Sequence, residues 1–260
     1  MTIASPLIPQ SIAVLLLAMT RIGTTLMFIP GLGGRTVPTP LKVLAAGVLA
    51  LVLLPFTPPV TQPLSDPAHF TVALAREFLL GLLMGFGIAV VFGAIEMAAS
   101  LAGVQIGLNL GPIFDPALNA QATPLNTYYL VTAALVFFGT NGHHLVLLAL
   151  HRSFQSVPIG GATLAGDAGS TITALASLMF ADALRIGLPV AGTLLAVDAA
   201  LGVLNRMVPQ MNVFFVGLPV KVLAGFGVLL LTMPFLLRLL STMVTSGIVE
   251  AIGRAGGVAR

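Results

Sequence analysis

The sequence predicts an all-α integral membrane protein of about six long, partly broken helices arranged as helical hairpins. Its mean hydropathy of +1.07 lies far above the range of soluble proteins. Hydrophobic residues make up 57% of its 260 residues and charged residues only 7%. Apolar runs alternate with breaks rich in proline and glycine, and most runs approach or exceed the ~20 residues that cross a bilayer as a helix.

The apolar runs divide the chain into six expected helices. Stretches such as PGLGGRTVPTP and PFTPPVTQPLSDP, which are rich in helix breakers, separate them. The second run is short for a membrane span, and the third is expected to bend or break near Gly103. The Gly/Ala-rich break PIGGATLAGDAGST predicts an internal boundary between residues 1–165 and 166–260. The expected helices cover residues 10–29, 41–54, 70–110, 125–150, 172–204 and 212–244.

Several classes of function find no support in the composition. The eleven Lys and Arg residues are scattered singly, so the net charge of +3 does not indicate nucleic-acid binding. With no Cys and no HExxH spacing among its histidines, NGHHLVLLALHRSF favours helix ends and packing over a metal site. No nucleotide-binding or nucleophile-elbow motif is present, so neither an enzyme nor a cofactor is expected. The N-terminus reads as a retained first helix.

Charged side chains inside the apolar runs are expected to face protein or water, because each costs about 2.5–3.5 kcal/mol at a bilayer centre. Asp182 and Arg185 are three residues apart and can neutralise each other. Asp198 and Arg206 share a helix stripe and are expected to interact. Glu96 has no opposite charge within one turn, so its partner is expected on another helix or subunit. A proton or ion relay is the alternative, although no carboxylate-rich pathway is visible. The remaining charges of this kind are Arg21, Glu77 and Arg238.

Glycines repeat at every fourth residue in AGVQIGLNLGPIFDP. Gly103, Gly107 and Gly111 therefore line one helix face and predict close packing against another backbone. Because glycine weakens a helix by roughly 1 kcal/mol relative to alanine, a movable element is the alternative. Gly81 and Gly85 form a weaker version upstream.

The segment RMVPQMNVFFVGLPVK, between the last two apolar runs, is the most informative part of the chain. It concentrates prolines, amides and cations that can cap two helix ends at a junction. Gln210 and Asn212 are expected to bond free backbone groups, with Arg206 held between Asp198 and this turn. The expected site residues of the segment are Arg206, Pro209, Gln210, Asn212, Pro219 and Lys221.

The motifs of the chain, taken in order, resemble the FliR/SctT family of type III secretion export-gate components. They are RIG followed by PGLGG and VP, REFLLGLLMGFG, AGVQIGLNLGPIFDP, NGHH, SF with PIG, and LNRMVPQMNVFFVGLPVK. Together they cover most of the chain. PQMNVFFVG is more similar to the flagellar branch than to the virulence branch.

This resemblance implies a core subunit of the flagellar export gate, through which unfolded proteins pass. Residues 1–165 would form a FliP-like four-helix region and residues 166–260 a FliQ-like two-helix hairpin. The implied partners are FliP-like, FliQ-like and FlhB-like subunits, an FlhA-like ring, the rest of the basal body and membrane lipid, without nucleic acid. The implied location is the bacterial inner (cell) membrane, crossed several times by steeply inclined helices that stand partly above the bilayer.

The resemblance also assigns a plug loop to residues 105–116. Relatives often carry aromatic residues there, whereas this chain has Leu110, Ile113 and Phe114 as its expected gate residues. Two alternatives remain open. One is a virulence-type SctT homologue. The other is a small-molecule secondary transporter, a class that usually shows an internal repeat, and none is visible here.

Overall fold

The structure is a computed structural model that describes residues 10–34, 37–58, 60, 66–108, 124–161, 168–210 and 212–250. The described residues form seven α-helices and no strands, which confirms the predicted all-α class. Beyond the last helix, a π-helical turn and a short helical stretch continue to Glu250. The helices are α1 Gln10–Leu26, α2 Thr39–Leu53, α3 Pro67–Ile106, α4 Pro124–Gly139, α5 Gly142–Ser156, α6 Ala168–Met207 and α7 Val213–Thr242.

Local sequence determines both ends of α3. At its start, the Asp66 carboxylate accepts a hydrogen bond from the amide two residues further on, at 3.2 Å. Pro67 takes the first helical position, where no backbone N–H is needed. The helix runs through Gly103 to Ile106 and ends at Gly107, whose φ of 89° is a conformation that glycine adopts without strain. The predicted break near Gly103 is therefore displaced to Gly107.

Two helices, α4 and α5, replace the single helix predicted over residues 125–150. They meet at a bend of 66°. Asn141 lies in the bend with a φ of 58°, and asparagine is one of the few residues that tolerates this left-handed conformation. Its carbonyl accepts the amide of His144 at 2.9 Å, which starts α5. The stretch GTNGHH interrupts the apolar run at this bend, so the sequence carried a turn signal that the single predicted helix passed over.

Within the described part of the chain, four helices are long and apolar enough to cross a membrane, and α4 with α5 can add a fifth, bent span. The protein is therefore a multi-pass membrane protein. Both α3 and α6 contain 40 residues, which corresponds to about 60 Å of helix. The hydrocarbon core of a bilayer is roughly 30 Å thick and helices tilt by at most about 40°. Parts of α3 and α6 must therefore lie outside the hydrocarbon.

The chain contains two compact units, and α3 and α6 contribute residues to both. The first unit comprises residues 1–90, 141–176 and 245–260, and the second comprises residues 91–140 and 177–244. The predicted division at residue 165 concerns likeness to other subunits and stays a prediction. Buried side chains of the first unit include Leu17, Ile22, Leu80, Met84, Ile88, Leu150 and Phe154. Those of the second include Ile95, Ile106, Tyr129, Phe137, Leu194 and Leu240.

Candidate functional site

A buried ion pair joins α1 and α3 in the first unit. The side chains of Arg21 and Glu77 have no solvent exposure, although both lie in apolar runs. Nε of Arg21 donates to Oε2 of Glu77, and Nη2 of Arg21 donates to Oε1 at 2.9 Å. The planar guanidinium thus binds the carboxylate through two parallel hydrogen bonds, which is the strongest geometry for such a pair.

Further hydrogen bonds satisfy both charges of the pair. Nη1 of Arg21 donates to the hydroxyl of Ser153 and to the carbonyl of Val157, each at 3.0 Å. The amide of Gly160 donates to Oε1 of Glu77 at 2.9 Å. A buried ion pair is tolerated when such additional bonds complete its coordination. The pair therefore ties α1 and α3 to the end of α5 and to the turn that follows it.

Four motifs from three separate parts of the sequence meet at this pair. RIG supplies Arg21, REFLLG supplies Glu77, SF supplies Ser153 and its neighbour, and PIG supplies the amide donor. The aromatic ring of SF lies 4.4 Å from the guanidinium carbon, within the range of a cation–π contact. The prediction that these two charges face protein is confirmed. We call this group the Arg21 node: Arg21, Glu77, Ser153, Phe154, Val157 and Gly160.

The sequence did not predict the Arg21 node. It indicated that both charges face protein and contains all four motifs, but it did not show that Arg21 and Glu77 pair with each other. The signal that could have found the node is the presence of opposite charges in two separate apolar runs, since each needs a partner inside the protein. Which partner each charge takes depends on tertiary packing.

Gly81 and Gly85 allow α3 to approach the first helix of the chain and the turn after it. A Cβ atom on Gly81 would collide with Oγ1 of Thr24, and the hydroxyl of Thr25 donates to the Gly81 carbonyl at 3.1 Å. A Cβ atom on Gly85 would collide with the ring of Phe28. Close backbone packing therefore occurs at the weaker of the two predicted glycine series.

A cavity of about 400 Å³ lies in the second unit, where the end of α3 meets α6 and α7. Gly107 lines it from α3, Gly202 from α6 and Gly217 from α7. Its charged groups are Asp198 and Lys221, with Nζ of Lys221 at 2.8 Å and 2.9 Å from the two carboxylate oxygens. Gly107, which is also part of the predicted plug loop at residues 105–116, lines this cavity.

Asp198 pairs with Lys221 and not with Arg206, which contradicts the predicted interaction. Eight residues along a helix correspond to about 12 Å, whereas Lys221 reaches Asp198 directly across the α6–α7 hairpin. Arg206 is exposed in the last turn of α6 and forms no ion pair with any described residue. Its charge there still lies favourably at the negative end of the helix dipole.

The turn between α6 and α7 exposes Pro209 and Gln210. Asn212 precedes α7, but its side chain makes no capping bond, so this part of the predicted capping is wrong. Its carbonyl instead accepts the amide of Phe215 at 3.1 Å. The Gln210 side chain forms no hydrogen bond with any described residue. Pro219 lies inside α7 and is exposed.

The central part of the predicted plug loop lies outside the described residues. Gly103 is buried in α3 and Gly107 ends that helix. The close packing predicted for this glycine series and the gate role both stay predictions. The residues that lie outside the described ranges are Leu110, Gly111, Ile113 and Phe114.

Two further predictions concerned charged residues on α6 and α3. Asp182 and Arg185 form the predicted pair, with Nη1 of Arg185 at 3.2 Å from Oδ1 of Asp182. Glu96 is exposed on α3, and its carboxylate has no hydrogen bond or ion pair among the described residues. The expectation of a partner on another subunit stays a prediction.

Two adjacent histidines begin α5. The rings of His143 and His144 lie 4.2 Å apart, centre to centre. Across the described ranges, no three His, Cys, Asp or Glu side chains lie close enough together to hold a metal ion.

Comparison with known proteins gives one consistent family. The family model described as "Bacterial export proteins, family 1" matches residues 12–247. "Flagellar biosynthetic protein FliR" of Escherichia coli strain K12 is 32% identical over 208 residues, which are 80% of this chain and 79% of the relative. The protein of the same name from Bacillus subtilis strain 168 is 33% identical over 222 residues, 84% and 85% of the two chains. "Secretion system apparatus protein SsaT" of Salmonella typhimurium strain LT2 is 28% identical over 199 residues, 74% and 76%.

Proposed function

Because the chain belongs to the FliR/SctT family of bacterial export proteins, we propose that it is a core subunit of the flagellar type III protein export gate. The observation that carries this proposal is the family match over residues 12–247, which includes every described helix except parts of α1. The role is structural and gating rather than catalytic. Unfolded flagellar proteins are the substrates, and the bacterial inner membrane is the location.

Assembly with FliP-like, FliQ-like and FlhB-like subunits, beside an FlhA-like ring in the basal body, is part of this proposal. The exposed apolar surface of α7 supports it. Leu223, Leu230 and Leu231 are each at least 75% exposed. An apolar surface of this extent must be covered by lipid or by other subunits. Parts of α3 and α6 lie beyond the hydrocarbon, so lipid cannot cover all of their apolar faces.

The gate role is proposed for Leu110, Ile113 and Phe114, which follow the end of α3. A pore wide enough for an unfolded chain leaks ions unless apolar side chains exclude water from a constriction at rest. These three residues are apolar, and the loop that carries them begins at the wall of the Asp198–Lys221 cavity. Their proposed role is to close the channel when no substrate is present.

Secretion in living cells tests the proposed function. Deleting the gene should stop both the export of flagellar proteins into the medium and motility, and the wild-type chain should restore both. Gly192→Ala is a suitable control variant, because a Cβ atom at Gly192 meets nothing within 4 Å. Export of flagellar proteins that continues without the gene would contradict the proposal.

Conductance separates a gate from a small-molecule transporter. Replacing Leu110, Ile113 and Phe114 together with Ser should let small ions pass through resting membranes that contain the assembled complex, while secretion persists or becomes less regulated. In a transporter, the same change would abolish uptake and open no leak. A membrane as tight as wild type, with the complex shown to be assembled, would remove these residues from the gating role.

The SsaT relative supports a second candidate, a subunit of a virulence-type secretion system. The flagellar reading is preferred because FliR relatives from several bacteria match the chain at up to 33% identity. The two candidates predict the same gate and differ in the exported proteins. Mass spectrometry of the culture medium, compared between the wild type and the deletion strain, identifies which set is lost.

A further inference from the structure

Glu96 is a carboxylic side chain exposed on a long apolar helix. It lies on α3, about 15 Å from the helix end at Ile106. The other three carboxylates of α3 and α6 each have a cationic partner: Glu77, Asp182 and Asp198. Glu96 alone among these four has neither an ion pair nor a hydrogen bond with a described residue.

The unit that contains Glu96 offers it no cation. Of the four Lys and Arg residues in this unit, Arg185 and Lys221 are already paired with other carboxylates. Arg206 and Arg238 are exposed on α6 and α7, and neither bonds to Glu96. The connecting residues 109–123 contain no Lys, Arg or His. No described cation of this unit therefore pairs with Glu96.

The surroundings of Glu96 on α3 are apolar. On the adjacent face of the helix, Met97 is 37% exposed and Val104, two turns beyond Met97, is 63% exposed. Ser100, one turn away, is already hydrogen-bonded to the Asn126 amide at 3.0 Å. A helix face that lines a water-filled path would present further polar side chains. An isolated carboxylate among exposed apolar side chains fits a protein interface better.

We propose that the exposed side of α3 that carries Glu96, with Met97 and Val104 on the adjacent face, is a docking surface for a helix of another subunit that carries a Lys or Arg directed at Glu96. Charge complementarity selects this partner, because a carboxylate removed from water needs a cation and hydrogen bonds. The chain meets the same need internally at Glu77, where Arg21 is the cation. The inference rests on the proposed function, since it requires an assembly of several subunits.

Charge reversal at Glu96 tests the docking surface. The tagged chain is co-expressed with the other export-apparatus subunits, and the purified complex is quantified by native mass spectrometry. Glu96→Lys should lower recovery of the complex by at least about tenfold, because it places like charges together in a desolvated contact. Glu96→Gln should lower it less, since the amide keeps a hydrogen-bond acceptor.

Two controls separate an interface effect from misfolding. Asp182→Asn removes a carboxylate that pairs within α6, and it should leave recovery within about twofold of wild type. The free chain carrying Glu96→Lys should unfold at the wild-type temperature in detergent, because Glu96 is exposed and forms no hydrogen bond or ion pair with a described residue. A large loss of stability in the free chain would overturn the inference, since it would show an internal role for Glu96.

The partner is found by cross-linking and then by rescue. A photoreactive side chain at Met97 should cross-link to one helix of a neighbouring subunit. Reversing a Lys or Arg of that helix to Glu should restore assembly with Glu96→Lys. A Met97→Cys variant should react with a water-soluble maleimide more slowly in the complex than in the free chain. Equal reaction rates would show that this face is open to water and would overturn the inference.

The same measurements distinguish a failure of the proposed function from a failure of the docking surface alone. If the wild-type chain is recovered alone, the proposed function fails and the docking surface fails with it. If the wild-type chain brings its partner subunits and Glu96→Lys brings them equally well, only the docking surface fails.

Discussion

At the scale of single residues, the Arg21 node shows how an apolar protein accommodates charge. Arg21 and Glu77 are fully buried, and the node gives every charged group a bond with a partner. Such a pair adds less to stability than its Coulomb attraction suggests, because both ions lose their hydration. Removing one partner is much more damaging, since it leaves the other charge buried and uncompensated.

Glu77→Ala should therefore destabilise the chain by about 3–5 kcal/mol, because it leaves the Arg21 guanidinium buried without its carboxylate. Glu77→Gln should be milder, since the amide oxygen can still accept from Arg21 and from the Gly160 amide. Thermal unfolding of the detergent-purified chain measures the difference. Arg185→Ala is the matched control, because its exposed i, i+3 pair should contribute less than about 1 kcal/mol. Equal losses from Glu77→Ala and Arg185→Ala would contradict the structural role of the node.

In the segment RMVPQMNVFFVGLPVK, Lys221 pairs with Asp198, and Arg206 forms no ion pair with a described residue. The sequence predicted that Arg206 would interact with Asp198, but the ammonium of Lys221 is the group that binds this carboxylate. Lys221→Ala should weaken the α6–α7 hairpin by about 1 kcal/mol, at the upper end for a partly exposed pair. Arg206→Ala should have a smaller effect. Rates of limited proteolysis within the hairpin compare the two variants, and faster cleavage in Arg206→Ala would contradict this order.

At the scale of helices, α3 depends on glycine in two different ways. Gly107 ends the helix through its positive φ, whereas Gly81 removes a side chain where α3 approaches α1. Only the second is a packing contact with a described partner. Four-residue glycine spacing alone therefore does not show which helix face is closely packed.

Gly81→Ala should destabilise the chain by about 1–3 kcal/mol, because the new methyl group overlaps the Thr24 hydroxyl and a backbone carbonyl of α1. Gly192→Ala on α6 should be neutral or stabilise by up to about 1 kcal/mol, since it meets open space and improves helix propensity. Urea or thermal unfolding of both variants in the same detergent makes the comparison. A Gly81→Ala variant as stable as Gly192→Ala would show that α1 and α3 are less closely packed than described.

At the scale of the whole molecule, the sequence predicted the class and most helix positions, and it failed where three-dimensional contacts decide. Hydropathy places α1, α2, α6 and α7 within a few residues because burial in lipid and in protein selects the same residues. The helix predicted over residues 125–150 ran across the break between α4 and α5, although GTNGHH interrupts the apolar run there and Asn141 adopts a left-handed conformation.

The sequence also did not predict which charged residues pair across different helices. Asp182 and Arg185 were predictable, because three residues on one helix fix their distance. The pairs Arg21–Glu77 and Asp198–Lys221 join different helices, so their distances depend on packing that one sequence does not encode locally. The expected interaction of Asp198 with Arg206 was wrong for this reason: the nearer cation lay on the opposite helix of the hairpin.

The composition of the native particle is the best test of the proposal that this chain is one subunit of a larger export gate. The tagged wild-type chain is expressed from its own locus, extracted in a mild detergent and weighed by native mass spectrometry. We expect a single particle that contains one copy of this chain together with several FliP-like and FliQ-like subunits. A chain recovered alone, or only with copies of itself, from cells that export flagellar proteins would contradict it.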